Sequence, residues 1–278
     1  MATAPAQSYV APFDAIAERY DETFTRSKIG QAQRASVWRE LETVFRPGDS
    51  ILELGCGTGV DACFLADRGV RVVACDNSPQ MINVATRRVA ECQKDSLVRT
   101  HLLAAEDIAN LRSGDAFDGA FSNFGALNCV QNLSPLARNL GVLLKPGATA
   151  LLCWMGPHCL WEVMWYVGHG DPHRAFRRFQ RGGVTARLAE GASIRVHYPS
   201  VRSLARTFSP EFQLKSIKGI GVSVPPSYLE AWANRFPHLF GLFVRADFVL
   251  GRCFGFRSLA DHILLEFQRR DIASLNHR

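Results

Sequence analysis

The stretch Ile51-Leu52-Glu53-Leu54-Gly55-Cys56-Gly57-Thr58-Gly59 constrains this chain more than any other. A short apolar strand meets an acid and passes into three alternating glycines. Val60-Asp61-Ala62-Cys63-Phe64-Leu65-Ala66 then follows with helical spacing. Glycine at this point lets the backbone turn sharply from strand to helix and lets a ligand lie against bare main chain. The spacing is Gly-x-Gly-x-Gly, and Val60 stands where a dinucleotide-binding loop would place its third glycine. That argues against a pyrophosphate-bearing dinucleotide and for a nucleoside that carries an amino acid.

A second acid ends the next apolar run. Val72-Val73-Ala74-Cys75-Asp76 reads as a strand whose tip lies 23 positions after Glu53. Ligands in open α/β sheets sit outside the carboxyl ends of the strands, where a carboxylate accepts ribose hydroxyls in charge-assisted hydrogen bonds. Asn77-Ser78-Pro79 opens a helix, with Ser78 as N-cap and Pro79 in the first position. The competing reading of Asp76 is a plain helix cap; the two motifs together, at this spacing, point to a cofactor.

Around these motifs the periodicity alternates. Two helices are expected over 11–45. Strands follow near 50–54, 71–75, 98–103, 117–122 and 148–154, with helices near 59–68, 79–93, 108–112 and 134–144. This predicts a doubly wound α/β fold, Rossmann-like, with a parallel sheet. After Met155 the rhythm breaks. Residues 157–190 read as helical, 194–198 as a strand, 200–208 as a helix, 212–224 as a strand, 225–257 as a helical insertion and 262–267 as a last strand. The expected organisation is N-terminal lid helices over 1–46, a cofactor-binding core over 47–155, a helical cap over 156–192, and completion of the sheet over 193–278.

Composition excludes several classes. The chain has 278 residues, 47% hydrophobic and 21% charged, which suits one elaborated globular domain. The net charge of +6 reads as solubility or as affinity for an anionic substrate or a nucleic acid, and the lack of a run of five like charges argues against a nucleic-acid tail. The eight cysteines form no Cys-x-x-Cys pair, so no zinc site is expected and a reduced, cytoplasmic setting is. Met1 to Gln7 lacks the pattern of a signal peptide. The apolar stretch from Leu239 to Leu250 is broken by Arg245 and Asp247, too short and too charged to span a bilayer. Neither a membrane nor a nucleic acid is expected as a partner.

From about residue 13 to 155 the chain resembles the class I methyltransferases that use S-adenosyl-L-methionine (SAM), and within them the small-molecule UbiE/BioC-like group. Phe13-Asp14 through Tyr20-Asp21 is similar to the helix that covers the cofactor in that group, and Glu53 to Gly59 matches its glycine motif. Asp76 matches its ribose acid, Glu106-Asp107-Ile108 its adenine-edge motif, and Leu143-Leu144-Lys145-Pro146-Gly147 the motif before strand five. The resemblance implies a seven-stranded sheet with an antiparallel last strand, SAM as cofactor, S-adenosyl-L-homocysteine (SAH) as product, and no metal. It implies that Glu53 orients the methionine end, and that Asp107 takes the adenine amine while Ile108 covers the ring. Ser122-Asn123-Phe124-Gly125 stands where many amino-directed DNA and protein methyltransferases carry an Asn/Asp-Pro-Pro-Tyr/Phe motif, which argues against those substrates.

The expected cofactor contacts are Tyr20, Arg34, Glu53, Gly55, Cys56, Gly57, Gly59, Asp76, Asn77, Met81, Glu106, Asp107, Ile108, Asn123, Phe124 and Gly125. Methyl transfer from a sulfonium needs positioning more than acid–base help, so no catalytic residue is fixed. His158, Tyr166, His169 and His173 are polar handles beside Trp161 and Trp165, each with a surface role as the rival reading. Gly170-Asp171-Pro172 breaks the helix that would put His169 and His173 on one metal. Arg174, Arg177, Arg178 and Arg181 form a basic face, solvated or salt-bridged, or aimed at a carboxylate or phosphate of the substrate. The function expected is methylation of a small molecule, aromatic or anionic, recognised by residues in 156–190 and 225–257. The rivals are a tRNA methyltransferase and a SAM-binding regulatory protein without transfer activity. Oligomeric state is open.

Overall fold

The computed structural model of the chain describes residues 11–112, 114–180 and 182–271. A 3-10 turn (Pro12–Ile16) leads into α1 (Ala17–Tyr20), and a π turn (Asp21–Thr25) separates it from α2 (Lys28–Val44). Then come β1 (Ser50–Leu54), α3 (Val60–Ala66), β2 (Arg71–Asp76), α4 (Pro79–Glu91), β3 (Val98–Leu102), a 3-10 helix (Ala105–Asn110), β4 (Phe117–Ser122), α5 (Leu133–Leu143) and β5 (Leu144–Met155). The last third adds α6 (Leu160–Gly168), α7 (Pro172–Ala175), β6 (Val184–Ala189), β7 (Ala192–Val196), α8 (Val201–Phe208), β8 (Phe212–Ile220), α9 (Glu230–Arg235), α10 (Pro237–Leu250) and β9 (His262–Arg269).

Seven strands form one sheet in the order β3-β2-β1-β4-β5-β9-β8. The pairs among β1 to β5 are parallel, and β9 lies antiparallel between β5 and β8. The strand order reverses between β1 and β4, which opens a crevice at their carboxyl ends. The period-two alternation of the strands sorts side chains onto two faces. Leu52, Leu54, Ala120 and Leu152 pack with Leu136, Leu140 and Phe208 of α5 and α8, whereas Ile51, Phe121 and Leu151 pack on the side of α2, α3 and α4. Helix starts follow the capping chemistry: Ser27 caps α2 through Gly30 N–H and Ser78 caps α4 through Met81 N–H.

Four local expectations need correction. The segment 157–190 is not helical to its end. Val184–Ala189 pairs antiparallel with Ala192–Val196 in a separate two-stranded ribbon, turned at Gly191 with φ +74. Its partly buried Val184, Ala186 and Leu188 alternate with exposed Thr185 and Arg187, a period of two masked by helix-forming Ala, Arg and Leu. The helix expected at 108–112 is a 3-10 turn beginning at Ala105. The first of the two helices expected over 11–45 is broken into a 3-10, an α and a π turn. The last strands are β8 over 212–220 and β9 over 262–269, with the insertion between them holding α9 and α10.

Candidate functional site

The three glycines do three different things. A Cβ on Gly55 would fall 2.2 Å from Cβ of Ala126, so the loop after β1 and the loop after β4 touch only because no side chain is there. Gly57, at φ +53, has no atom within 4 Å of where its Cβ would be and faces open space. Gly59, at φ +76, packs against Ala85 of α4 at 3.0 Å, which makes it a helix-packing glycine.

That open space belongs to a cavity of about 410 Å³ at the carboxyl ends of β1, β2 and β4, a size that suits a small-molecule ligand. Asp76 lies on its wall with both carboxylate oxygens engaged by the backbone. Oδ2 accepts from Gly57 N at 2.8 Å and Oδ1 from Ser78 N at 2.9 Å. Burial raises its pKa, and those N–H groups oppose the rise.

Behind the glycine loop lies a buried charge cluster. Arg34 of α2 pairs with Asp61 of α3 at 2.6 Å, both almost fully buried. Trp38 Nε1 donates to Asp61 Oδ1 at 2.6 Å and Asn123 Nδ2 to Asp61 Oδ2 at 3.0 Å. Glu53, 2% exposed, has one carboxylate oxygen without a partner, and Arg34 Nε is likewise unpartnered. Burial first, then repulsion from Asp61, pushes the Glu53 carboxyl well above the usual range, while Arg34 pulls it down. An orphaned carboxylate oxygen beside an orphaned guanidinium N–H fits the zwitterion of an amino acid, the group that SAM carries on its nucleoside. Sequence reading missed Asp61; an acid in the first turn of an otherwise apolar helix was its signal.

Phe124 adopts φ +46, a strained region for a bulky residue, and its N–H donates to the Asn123 side chain at 2.9 Å. Its ring is fixed by the edge of Phe24 at 4.9 Å between centroids, by the Arg34 guanidinium at 4.7 Å and by His262 at 5.6 Å. Tyr20 completes this wall, its phenol pushed up to about 12 by burial.

The lid is tied down over the loop. Thr58 Oγ1 donates to Asp21 at 2.8 Å, and Arg88 of α4 binds both Asp21 and the Thr58 carbonyl. Asp14 accepts from Ser78 Oγ at 2.5 Å and Gln80 N at 3.0 Å, adding a second acceptor at the start of α4. The β6–β7 ribbon packs against the Pro12–Ile16 turn and brings Ala186, Leu188, Ile194 and Val196 to the cavity, which Pro12, Phe13 and Met155 also line.

Of the residues expected to hold the cofactor, Tyr20, Arg34, Gly55, Cys56, Gly57, Asp76, Asn77, Met81, Glu106, Asn123, Phe124 and Gly125 line this cavity. Glu53 lies just behind the wall and Gly59 beneath α4. Asp107 is not on the wall but exposed to solvent, and Ile108 is wholly buried in the sheet core; because the 3-10 turn starts early, Ala105 and Glu106 take the wall instead.

The polar handles of the cap are elsewhere. His158 packs on Phe179, Tyr166 on Tyr228, and His169 on Trp165, whose carbonyl lies 2.8 Å from its ring nitrogen; His173 is exposed on α7. Trp161 donates to Ser223 O at 2.9 Å and packs in a cluster with Trp232 and Phe243. The basic face dissolves into ion pairs: Arg177 and Arg178 both bind the fully buried Glu162, Arg178 also binds Asp261, and Arg174 faces Asp171. Arg181 lies outside the described residues. Of the region expected to face the substrate, the ribbon lines the cavity and the helices α6, α7, α9 and α10 are not among its lining. Among the described residues no helix is long and apolar enough to cross a membrane.

Residues 51–147 match the model of the methyltransferase domain family. Among curated proteins, the chain is similar to a demethylmenaquinone methyltransferase of Clavibacter sepedonicus, 35% identical over 146 residues, which cover 51% of this chain and 56% of that one. The chain therefore spans about half the length of the curated relatives it matches. Among solved structures, it is similar to the CcbJ methyltransferase of Streptomyces caelestis, with a TM-score of 0.61, 18% identity, and coverage of 94% of this chain and 98% of that one. The [4+2]-cyclase SpnF gives the same TM-score and coverage at 17% identity. These two likenesses establish the fold alone, and the second shows that the fold also hosts other chemistry.

Proposed function

We propose that this chain, which belongs to the class I SAM-dependent methyltransferases, transfers a methyl group to an uncharged, apolar small molecule. The observation that carries the reading is the division of the cavity wall. The glycine loop, β2 and α2 supply its polar lining, whereas the ribbon contributes four apolar side chains, Ala186, Leu188, Ile194 and Val196, joined by Pro12, Phe13, Leu127, Val130 and Met155. In this reading Asp76 accepts from ribose hydroxyls, Glu53 faces the methionine ammonium and Arg34 its carboxylate. Leu103, Ala105 and Glu106 border the adenine, and Tyr20 and Phe124 close over the reacting end. The unpartnered atoms of Glu53 and Arg34 support the assignment of the methionine end.

When bound, SAM supplies an electrophilic methyl group on a positively charged sulfur. The remaining work falls to the chain: to hold the acceptor in line and to keep water out, which the apolar wall favours. Among the described residues the cavity lining contains no histidine. Burial pushes the Tyr20 phenol up to about 12, the Cys129 thiol up to about 11 and the Cys56 thiol further, so none of these is a base at neutral pH. Asp61 is paired with Arg34 and Asp76 is held by backbone N–H groups, so an acceptor that carries its own reactive nucleophile, such as a ring carbon activated by a neighbouring hydroxyl, or a thiol, suits this wall best. Among the described residues, the ribbon side chains that line the cavity carry no charge, which suits an uncharged acceptor. The relatives named for demethylmenaquinone make that compound the first acceptor to try. A cytoplasmic setting is part of the proposal, supported by eight cysteines that are all free thiols. The tRNA and scaffolding readings gain no observation of their own.

The test is calorimetric titration with SAH and SAM, with NAD as control, in the wild type and in Leu188→Asp. Both sulfur nucleosides should bind at micromolar Kd or tighter in both proteins, NAD in neither, and the variant should lose methyl transfer. Loss of SAH affinity in Leu188→Asp would place the ribbon on the cofactor side and overturn the division on which the reading rests.

A further inference from the structure

The apolar stretch that is too short to span a bilayer has a different arrangement in space. Asp247 is buried on the inner side of α10, where it accepts from Gly221 N at 3.0 Å, Ser223 N at 2.8 Å and Val224 N at 3.3 Å. These bonds fix the roll of the helix against the end of β8. Phe240 packs inward beside Leu229 and Ala233, and Phe248 is held under Arg39 at 3.7 Å. The helix cannot turn to hide its other face. On that face Leu239, Leu242 and Val249 recur at helical spacing and are 42%, 59% and 65% exposed. The chain then runs into Arg252-Cys253-Phe254-Gly255-Phe256-Arg257, where Phe254 is 83% and Phe256 49% exposed.

The charge carried by this stretch of chain is mostly positive. Between residues 231 and 260 the sequence holds Arg235, Arg245, Arg252 and Arg257 against a single acid, the buried Asp247. Arg257 lies over the Phe254 ring at 5.1 Å, and Arg252 reaches back to Glu40 at 2.9 Å, the acid that Lys218 also binds. A rigid helix with exposed leucine and valine, two protruding phenylalanines on a glycine turn, and flanking arginines combines the two forces that hold a protein on a charged interface. Aromatic rings enter the headgroup boundary, and arginines pair with anionic headgroups.

We propose that the outer face of α10 and the 252–257 turn dock this protein on an anionic lipid bilayer, with the helix lying in the plane of the surface. Its 14 residues reach about 21 Å, short of the ~30 Å apolar core, so it rests on the membrane and does not cross it. A second copy of the chain fits less well, because a two-fold contact would bring the arginine-bearing face against itself. A polynucleotide would satisfy the arginines but leave Leu242, Val249 and the phenylalanines in water. The inference stands independently of methyl transfer.

The experiment is co-sedimentation of the full chain with phosphatidylcholine vesicles, with and without phosphatidylglycerol. The protein should partition onto the mixed vesicles, bind pure phosphatidylcholine far more weakly, and be released by salt. Phe254→Ser and Phe256→Ser should each lower partitioning on the order of tenfold, and Arg245→Gln roughly fivefold. Leu242→Gln, at a separate point on the same face, carries the same expectation, so the test survives if the turn variants prove unstable. Indifference to phosphatidylglycerol, or partitioning unchanged in both Leu242→Gln and the phenylalanine variants, overturns the proposal. So does a wild-type dimer in analytical ultracentrifugation that Leu242→Gln dissociates, since a second copy would then cover the face.

Discussion

Glu53→Gln separates the cost of the site from its use. In the free protein the Glu53 carboxyl is buried with one oxygen unpartnered, and burial holds its pKa well above the usual value. The folded state therefore keeps the proton more tightly than the unfolded chain does. Stability is full below the ordinary carboxyl range and falls as pH rises toward the raised folded pKa, by about 1.4 kcal/mol per pH unit within that window. Glutamine carries no such proton, so the stability of the variant relative to wild type should increase with pH from the mid-4s upward. Cofactor binding should move the other way. If the methionine ammonium meets this carboxylate, the lost charge-assisted hydrogen bond is worth about 1.5–3 kcal/mol, a roughly 10- to 100-fold weaker SAH affinity. Denaturant melts at several pH values and calorimetric titration at neutral pH read the two effects separately. A stability difference that does not vary with pH, together with SAH affinity within twofold of wild type, would refute the assignment of Glu53.

Other substitutions probe the rest of the wall. Asp76→Ala should weaken SAH binding roughly 10- to 100-fold by calorimetry, because it removes an acceptor for the ribose and also the bond that shapes the loop at Gly57. Asp61→Ala leaves the Arg34 guanidinium buried without its counter-ion and strips an acceptor from Trp38 and Asn123. It should cost roughly 3–5 kcal/mol, a fall in Tm on the order of 10 °C in calorimetric scans. Arg88→Ala frees Asp21 and the Thr58 carbonyl that tie the lid to the glycine loop. Stopped-flow binding should show faster SAH dissociation, with little change in Tm because Arg88 is partly exposed.

What was legible in the sequence follows from how local each signal is. The glycine loop, the two strand-tip acids and the Ser78-Pro79 helix start are set by backbone sterics and capping within a few residues, and they fixed the α/β core and the position of the crevice. The second ribbon strand was legible near 194–198, but the first, 184–189, reads as helix because Ala186, Arg187 and Leu188 favour helix, and only pairing with 192–196 makes them a strand. For the arginines of the cap the sequence leaves ion pairing and anion recognition both open, because composition cannot show that Glu162 and Asp261 sit inside the protein to meet Arg177 and Arg178. Asp61 was overlooked for the mirror reason: its partner Arg34 is 27 residues away in sequence and meets it only when α2 packs on α3. The outward face of α10 depended on one buried acid, Asp247, that the sequence presents as an ordinary interruption of an apolar run.

The central claim is methyl transfer into an apolar, uncharged half-cavity. Its most direct test is single-turnover transfer from methyl-labelled SAM to matched acceptors, demethylmenaquinol and a carboxylated counterpart of similar size. The account predicts label in the neutral acceptor with stoichiometric SAH and little or none in the charged one. Preferential labelling of the carboxylated acceptor, or release of SAH with neither acceptor labelled, would contradict it.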